Sequence, residues 1–114
     1  MDYIQRTQME LKSIDIAPEE LMIYLEENGI LQPLNEYNSQ SNADKRAIYK
    51  TSLSVLESIA NNPQQMKNYK EEDMSVSGFA ESIQNRIDQL EKKIRHMSVD
   101  DSNSESSFFM LFKG

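Results

Sequence analysis

The chain is 114 residues long, 38% hydrophobic and 27% charged, which leaves room for one domain with a small core and none for a second. Twelve Lys and Arg against nineteen Asp and Glu give a formal charge of −7, which works against holding a phosphate backbone over the bulk of the surface. Cysteine is absent, so a disulfide framework and a thiolate metal site are both excluded.

The opening Met-Asp-Tyr carries no basic segment followed by an apolar one, and no run approaches the ~20 apolar residues of a membrane span, so a soluble cytoplasmic protein without membrane contact is expected. Three Gly, three Pro and seven Met point to a helix-rich chain with an adaptable core.

Taken in order, residues 3–14 place Tyr3, Ile4, Met9, Leu11 and Ile14 on a loose helical period, suggesting a helix that docks on something else. Pro18, Glu19 and Glu20 mark a helix start, because proline suits the first turn and carboxylates suit the positive end of the dipole. Leu21, Met22 and Leu25 form its inner face, and Asn28-Gly29 ends it. Residues 30–40 read as an irregular link whose Leu31, Leu34 and Tyr37 tack it to the helices.

Ser41 or Asn42 caps the next helix, with Asp44 in its first turn. Ile48, Leu53, Val55, Leu56 and Ile59 give it a broad buried face before Asn61-Asn62-Pro63 breaks it. Residues 63–77 read as a connection in which Met74, Ser75, Val76 and Ser77 alternate like a short edge strand, or form a loop. Ser77 or Gly78 then opens the most regular element, where Phe79, Ile83, Ile87, Leu90, Ile94 and Met97 recur at steps of three and four and define a core-facing helix. Asp88 with Lys92 and Glu91 with Arg95 are acid-before-base pairs four residues apart. This run is shorter than the three to four heptads of a free-standing zipper, so a bundle helix is the expected form, its charged edge open to a neighbouring copy.

The fold expected from these pieces is mainly α: a small bundle of three to four helices over residues 1–97, with a short β segment or loop before the last helix. Residues 98–107 are Ser, Asp, Asn and Glu with one Val, a polar tether. It leads to the apolar Phe108, Phe109, Met110, Leu111 and Phe112, so residues 98–114 read as an extended C-terminal arm. Three roles suit those five side chains: an interfacial membrane contact, opposed by Asp100, Asp101 and Glu105; folding back on the domain; or insertion into a partner's groove.

Chemistry-bearing patterns are sparse. His96 is the sole histidine, and the acidic clusters Glu19-Glu20, Glu26-Glu27 and Glu71-Glu72-Asp73 lack the spacing of a calcium loop. Neither a phosphate-binding glycine loop nor a Gly-x-Ser-x-Gly elbow occurs. A non-enzymatic protein without cofactor or metal is expected.

The Asn28-Gly29-Ile30 turn, the link containing Tyr37, the helix from Ile48 to Ile59 and the Ser75-Val76-Ser77 lead into the last helix together resemble the small head-to-tail connector, or adaptor, proteins of tailed bacteriophages. The resemblance covers about residues 15–97. It implies a homo-oligomeric ring, typically of twelve copies, below the portal protein in the neck of the virion, assembled in the host cytoplasm. Such a ring extends the DNA channel, without sequence-specific DNA binding, and joins it to a downstream stopper or tail-completion protein. On this chain, residues 98–114 would be the portal-binding arm and residues 67–77 the inter-subunit loop; the arm and the N-terminal helix have no counterpart in the family's common core. The expectation from another class is a small acidic regulatory binding protein, such as an inhibitor that occupies a partner's basic site.

Overall fold

The computed structural model describes the backbone of residues 1–12 and 14–113, and side chains within that range up to Met97. Four α-helices follow in order, α1 Tyr3–Leu11, α2 Pro18–Glu27, α3 Asn42–Ala60 and α4 Val76–Lys113, with a 3-10 turn at Pro63–Asn68 between the last two. The protein is mainly helical, and the described residues contain no strand beyond an isolated antiparallel bridge between Asp2 and Glu36. The tether and the arm residues Phe108 to Phe112 lie outside the described side chains.

Each helix start has a local cause. Asp2 and Gln5 form a reciprocal capping box at α1: Gln5 N–H donates to Asp2 Oδ1 at 2.8 Å and Asp2 N–H to Gln5 Oε1 at 2.9 Å. Pro18 opens α2, with Glu19 and Glu20 in its first turn. Ser41 caps α3 by accepting from Asp44 N–H at 3.1 Å.

Helix α2 ends in a Schellman turn. Ile30 N–H donates to Leu25 O at 2.9 Å and Gly29 N–H to Glu26 O at 3.1 Å, with Gly29 at φ +97°. A Cβ at Gly29 would meet nothing within 4 Å, so glycine is required there by backbone conformation and not by crowding.

The core lies around α3, which packs against α1, α2, the 3-10 turn and, most extensively, α4. Leu21, Leu25, Ile48, Leu56 and Leu90 have at most 1% of their surface exposed, each worth about 1.5–3 kcal/mol of apolar burial. The buried face of α3 also contains Ala47, Thr51 and Ser52. Thr51 and Ser52 donate their hydroxyls to the carbonyls of Ala47 and Ile48 at 2.7 and 3.0 Å, which removes the cost of burying them and leaves small surfaces for close approach.

The link after α2 differs from the sequence expectation. Ile30 and Pro33 are buried and Tyr37 packs against the core, whereas Leu31 and Leu34 are 78% and 68% exposed. The chain turns away from the bundle between buried points, because the link's backbone is committed to the N-terminus. Tyr3 N–H donates to Pro33 O at 3.1 Å and Tyr37 N–H to Met1 O at 2.8 Å. Helix α1 also stops at Leu11, short of the expected residue 14.

Truncating Leu56 to Ala should lower unfolding free energy by about 2–5 kcal/mol in a denaturant titration, while Leu34→Ala should stay within about 0.5 kcal/mol of the parent. Equal effects would contradict this assignment of core and surface.

Candidate functional site

The segment before α4 is a loop, not a strand. Met74 N–H closes a turn on Glu71 O at 3.1 Å, and Ser75 occupies the cap position, its Oγ accepting from Gly78 N–H at 3.0 Å and its carbonyl from Phe79 N–H at 2.9 Å. Helix α4 therefore begins at Val76, ahead of the expected Ser77 or Gly78. The polar alternation that suggested an edge strand comes from a serine cap, and the described chain supplies no strand for it to pair with. A Cβ at residue 78 would sit 3.0 Å from Ser75 Oγ, so glycine there keeps the cap in place.

Of the four loop residues singled out by sequence, Met74 is half-buried against the core, Ser75 and Ser77 are exposed, and Val76 is 44% exposed. Glu71, Glu72 and Asp73, just before them, are all exposed. The apolar stripe of α4 divides in two. Phe79, Ile83, Ile87 and Leu90 are buried, whereas Ile94 and Met97 are half-buried and stand apart from the core cluster.

Helices α3 and α4 run antiparallel. Phe79 and Ile83 share a cleft with Leu56 near the end of α3, while Lys93 Nζ lies 5.2 Å from the Tyr49 ring near its beginning. Lys93 is thus level with the first half of α3, and Ile94 and Met97 beyond it are partly covered. Neither Asp88 with Lys92 nor Glu91 with Arg95 closes into an ion pair among the described residues. Asp88 accepts instead from Gln84 Nε2 at 3.1 Å, as expected where an exposed pair gains too little to fix two long side chains. Lys92, Lys93, Arg95 and His96 are exposed.

A second group, not anticipated from sequence, holds α1 in place. The Glu10 carboxylate receives Arg6 from its own helix at 3.0 Å and Arg86 from α4 in a very short contact, and the Arg86 guanidinium also donates to Glu10 O at 3.2 Å. Arg6 lies 5.6 Å from the centroid of Tyr37 and 6.0 Å from that of Tyr49. Tyr37 meets Tyr3 edge-on at 5.5 Å, and Tyr3 Oη donates to Asp44 Oδ2 at 2.6 Å. Burial works against the Arg6 charge, but the hydrogen bond and charge of Glu10, with help from Tyr37, outweigh it and hold the Arg6 pKa above its ordinary value.

The only sequence signal for this group was the i,i+4 pair Arg6 and Glu10; nothing local points to Arg86, 76 residues away from Glu10.

Between the end of α1, the loop after the 3-10 turn and the first half of α4 lies a cleft of about 450 Å³. Buried Leu11, Leu56, Phe79 and Ile83 line it together with exposed Lys12, Glu71 and Glu81. Among the described residues no group of three or more acidic, His or Cys side chains is placed to hold a metal ion, and no helix is long and apolar enough to cross a membrane. Compared with family models, curated proteins and solved structures, the chain matches none of them.

Two outcomes follow. Glu10→Gln leaves two guanidinium groups facing each other without their anion and should cost about 1–3 kcal/mol. A double-mutant cycle with Arg86→Met should return a coupling of at least ~0.5 kcal/mol, and additive effects would mean the contact is not energetically shared. The Tyr3 pKa is raised, first by its hydrogen bond to Asp44 and then by burial, so the folded state holds this proton more tightly than the unfolded chain. That contribution is fully present below the unfolded value near pH 10 and is lost as pH rises through the folded one. Thermal unfolding of Tyr3→Phe should therefore show a shallower alkaline decline than the parent; parallel declines would argue against the bond.

Proposed function

We propose that this chain is a structural, non-catalytic subunit of a tailed-phage head-to-tail connector. In this reading, copies form a ring below the portal protein in the virion neck, extend the DNA channel and join it to the stopper or tail-completion protein. What supports it is the order of pieces that carry the resemblance, set at the joints of one helical bundle. The Asn28-Gly29-Ile30 turn closes α2, the link with Tyr37 is pinned to the N-terminus, α3 supplies the central face, and Ser75-Val76-Ser77 leads into α4.

The observation that carries it is the pair of surfaces the bundle leaves open on one helix: an exposed loop before α4, and the half-covered Ile94 and Met97 farther along. Such surfaces suit a subunit that meets neighbours through helix edges. The formal charge of −7 suits a channel wall past which DNA slides without sticking.

Light scattering of the purified chain should give a mass many times 13.2 kDa, with rings visible by negative-stain microscopy. A single-chain mass at all workable concentrations would sink the ring and leave the acidic regulatory binding protein as the better reading. Deleting residues 108–114 should abolish co-assembly with a portal protein while sparing the ring.

A further inference from the structure

We propose that the apolar run Phe108 to Phe112 of one copy seats in the cleft between α1 and α4 of another. The cleft measures about 450 Å³, the size of a ligand pocket, and buried Leu11, Leu56, Phe79 and Ile83 line it. Lys12 stands on its α1 wall and Glu81 on its α4 wall, both exposed and, among the described residues, outside any ion pair. The run is flanked by the matching charges, with Glu105 three residues before it and Lys113 directly after it. An acid-apolar-base segment is complementary to a cleft that offers a base, an apolar floor and an acid. Burial supplies the attraction, and the two charge pairs set the direction in which the segment lies.

Geometry makes the donor a second copy. Helix α4 runs from Val76 to Lys113 and itself lines the cleft as far as Gln89. From Gln89 to Phe108 is 19 residues of helix, about 28 Å at 1.5 Å per residue, so each copy carries the run away from its own cleft. Lys12 marks the α1 wall independently of its charge. It has φ 52° and ψ −108°, and Ile14 N–H donates to Leu11 O at 3.1 Å, the arrangement in which glycine takes the first central position of a type II′ turn. Among the described residues no other non-glycine has a positive φ. A lysine held there at a backbone cost keeps a cation on the cleft that glycine would not supply. Helix α1 has no counterpart in the common core of the connector family, so the resemblance does not imply this cleft. The contact is additional to the helix-edge contacts of the ring, and in the connector reading the portal protein and the cleft compete for one arm.

Because the chain has no cysteine, directed cross-linking of the full chain tests this cleanly. One variant carries Gly114→Cys beside the run; a second carries Asn85→Cys at the exposed edge of the cleft; a control carries Gln84→Cys, exposed on α4 but outside the cleft. Under mild oxidation an equimolar mixture of G114C and N85C should form mixed disulfide dimers roughly tenfold faster than G114C with Q84C. Adding E81K to the N85C copy should slow this pairing several-fold, and adding K113E to the G114C copy should restore it, because the charges then match again. Helicity by circular dichroism should be unchanged throughout. Equal rates at the two positions, or an N85C rate that E81K does not lower or K113E does not recover, overturns the contact. Those outcomes leave the ring reading, tested by the parent mass, and the portal reading, tested by arm deletion, as they stand.

Discussion

Everything in this bundle depends on the buried face of α3. It packs against every other helix and, most extensively, α4, and seven of its residues are withdrawn from water. The face is mixed in size: Ile48, Val55, Leu56 and Ile59 fill space, while Ala47, Thr51 and Ser52 keep the surface low. Small buried polar residues are affordable only because each hydroxyl bonds a carbonyl one turn back in its own helix. The helix thus presents a largely apolar exterior to its neighbours with few large side chains, which suits a chain whose hydrophobic fraction is only 38%.

Where apolar surface is scarce, charge and aromatic contacts complete the packing. Helix α1 is nine residues long, too short to persist alone, and it buries Tyr3, Ile4, Thr7 and Leu11. Its attachment is reinforced by Glu10 between Arg6 and Arg86 and by Arg6 beside two tyrosine rings. The link after α2 is held by the same end of the chain through backbone bonds to Met1 and Tyr3. One corner of the molecule therefore joins the first residues, the link, α3 and α4, and the charged groups in it are mutually neutralised rather than displayed.

Burial changes along α4. The same apolar repeat of α4 is core at Phe79, Ile83, Ile87 and Leu90 and only half-buried at Ile94 and Met97. At the other end, the Ser75 cap fixes the loop that carries Glu71, Glu72 and Asp73. Helix α4, anchored through Phe79 to Leu90, holds that loop and these two side chains at a fixed separation.

Much of the fold was legible from local chemistry. Pro18 with Glu19 and Glu20, the Ser41 cap, the Asn28-Gly29 stop and the three-and-four spacing of α4 each determine structure through neighbours within a few residues, and each specifies its helix without reference to the rest of the chain. The Asp2 and Gln5 capping box is equally local, although the apolar period of the helix it opens is weak. Met74 to Ser77 alternates in a way that a serine cap and an edge strand share, so its form is not set locally. What only the tertiary structure decided is who covers whom: that Leu31 and Leu34 stay in water while Pro33 is buried, that Glu10 meets Arg86, and that the α4 stripe is fully buried only as far as Leu90. Periodicity states that a face is apolar. Whether it is core or contact surface depends on where another helix begins and ends, and that is a property of the packed chain.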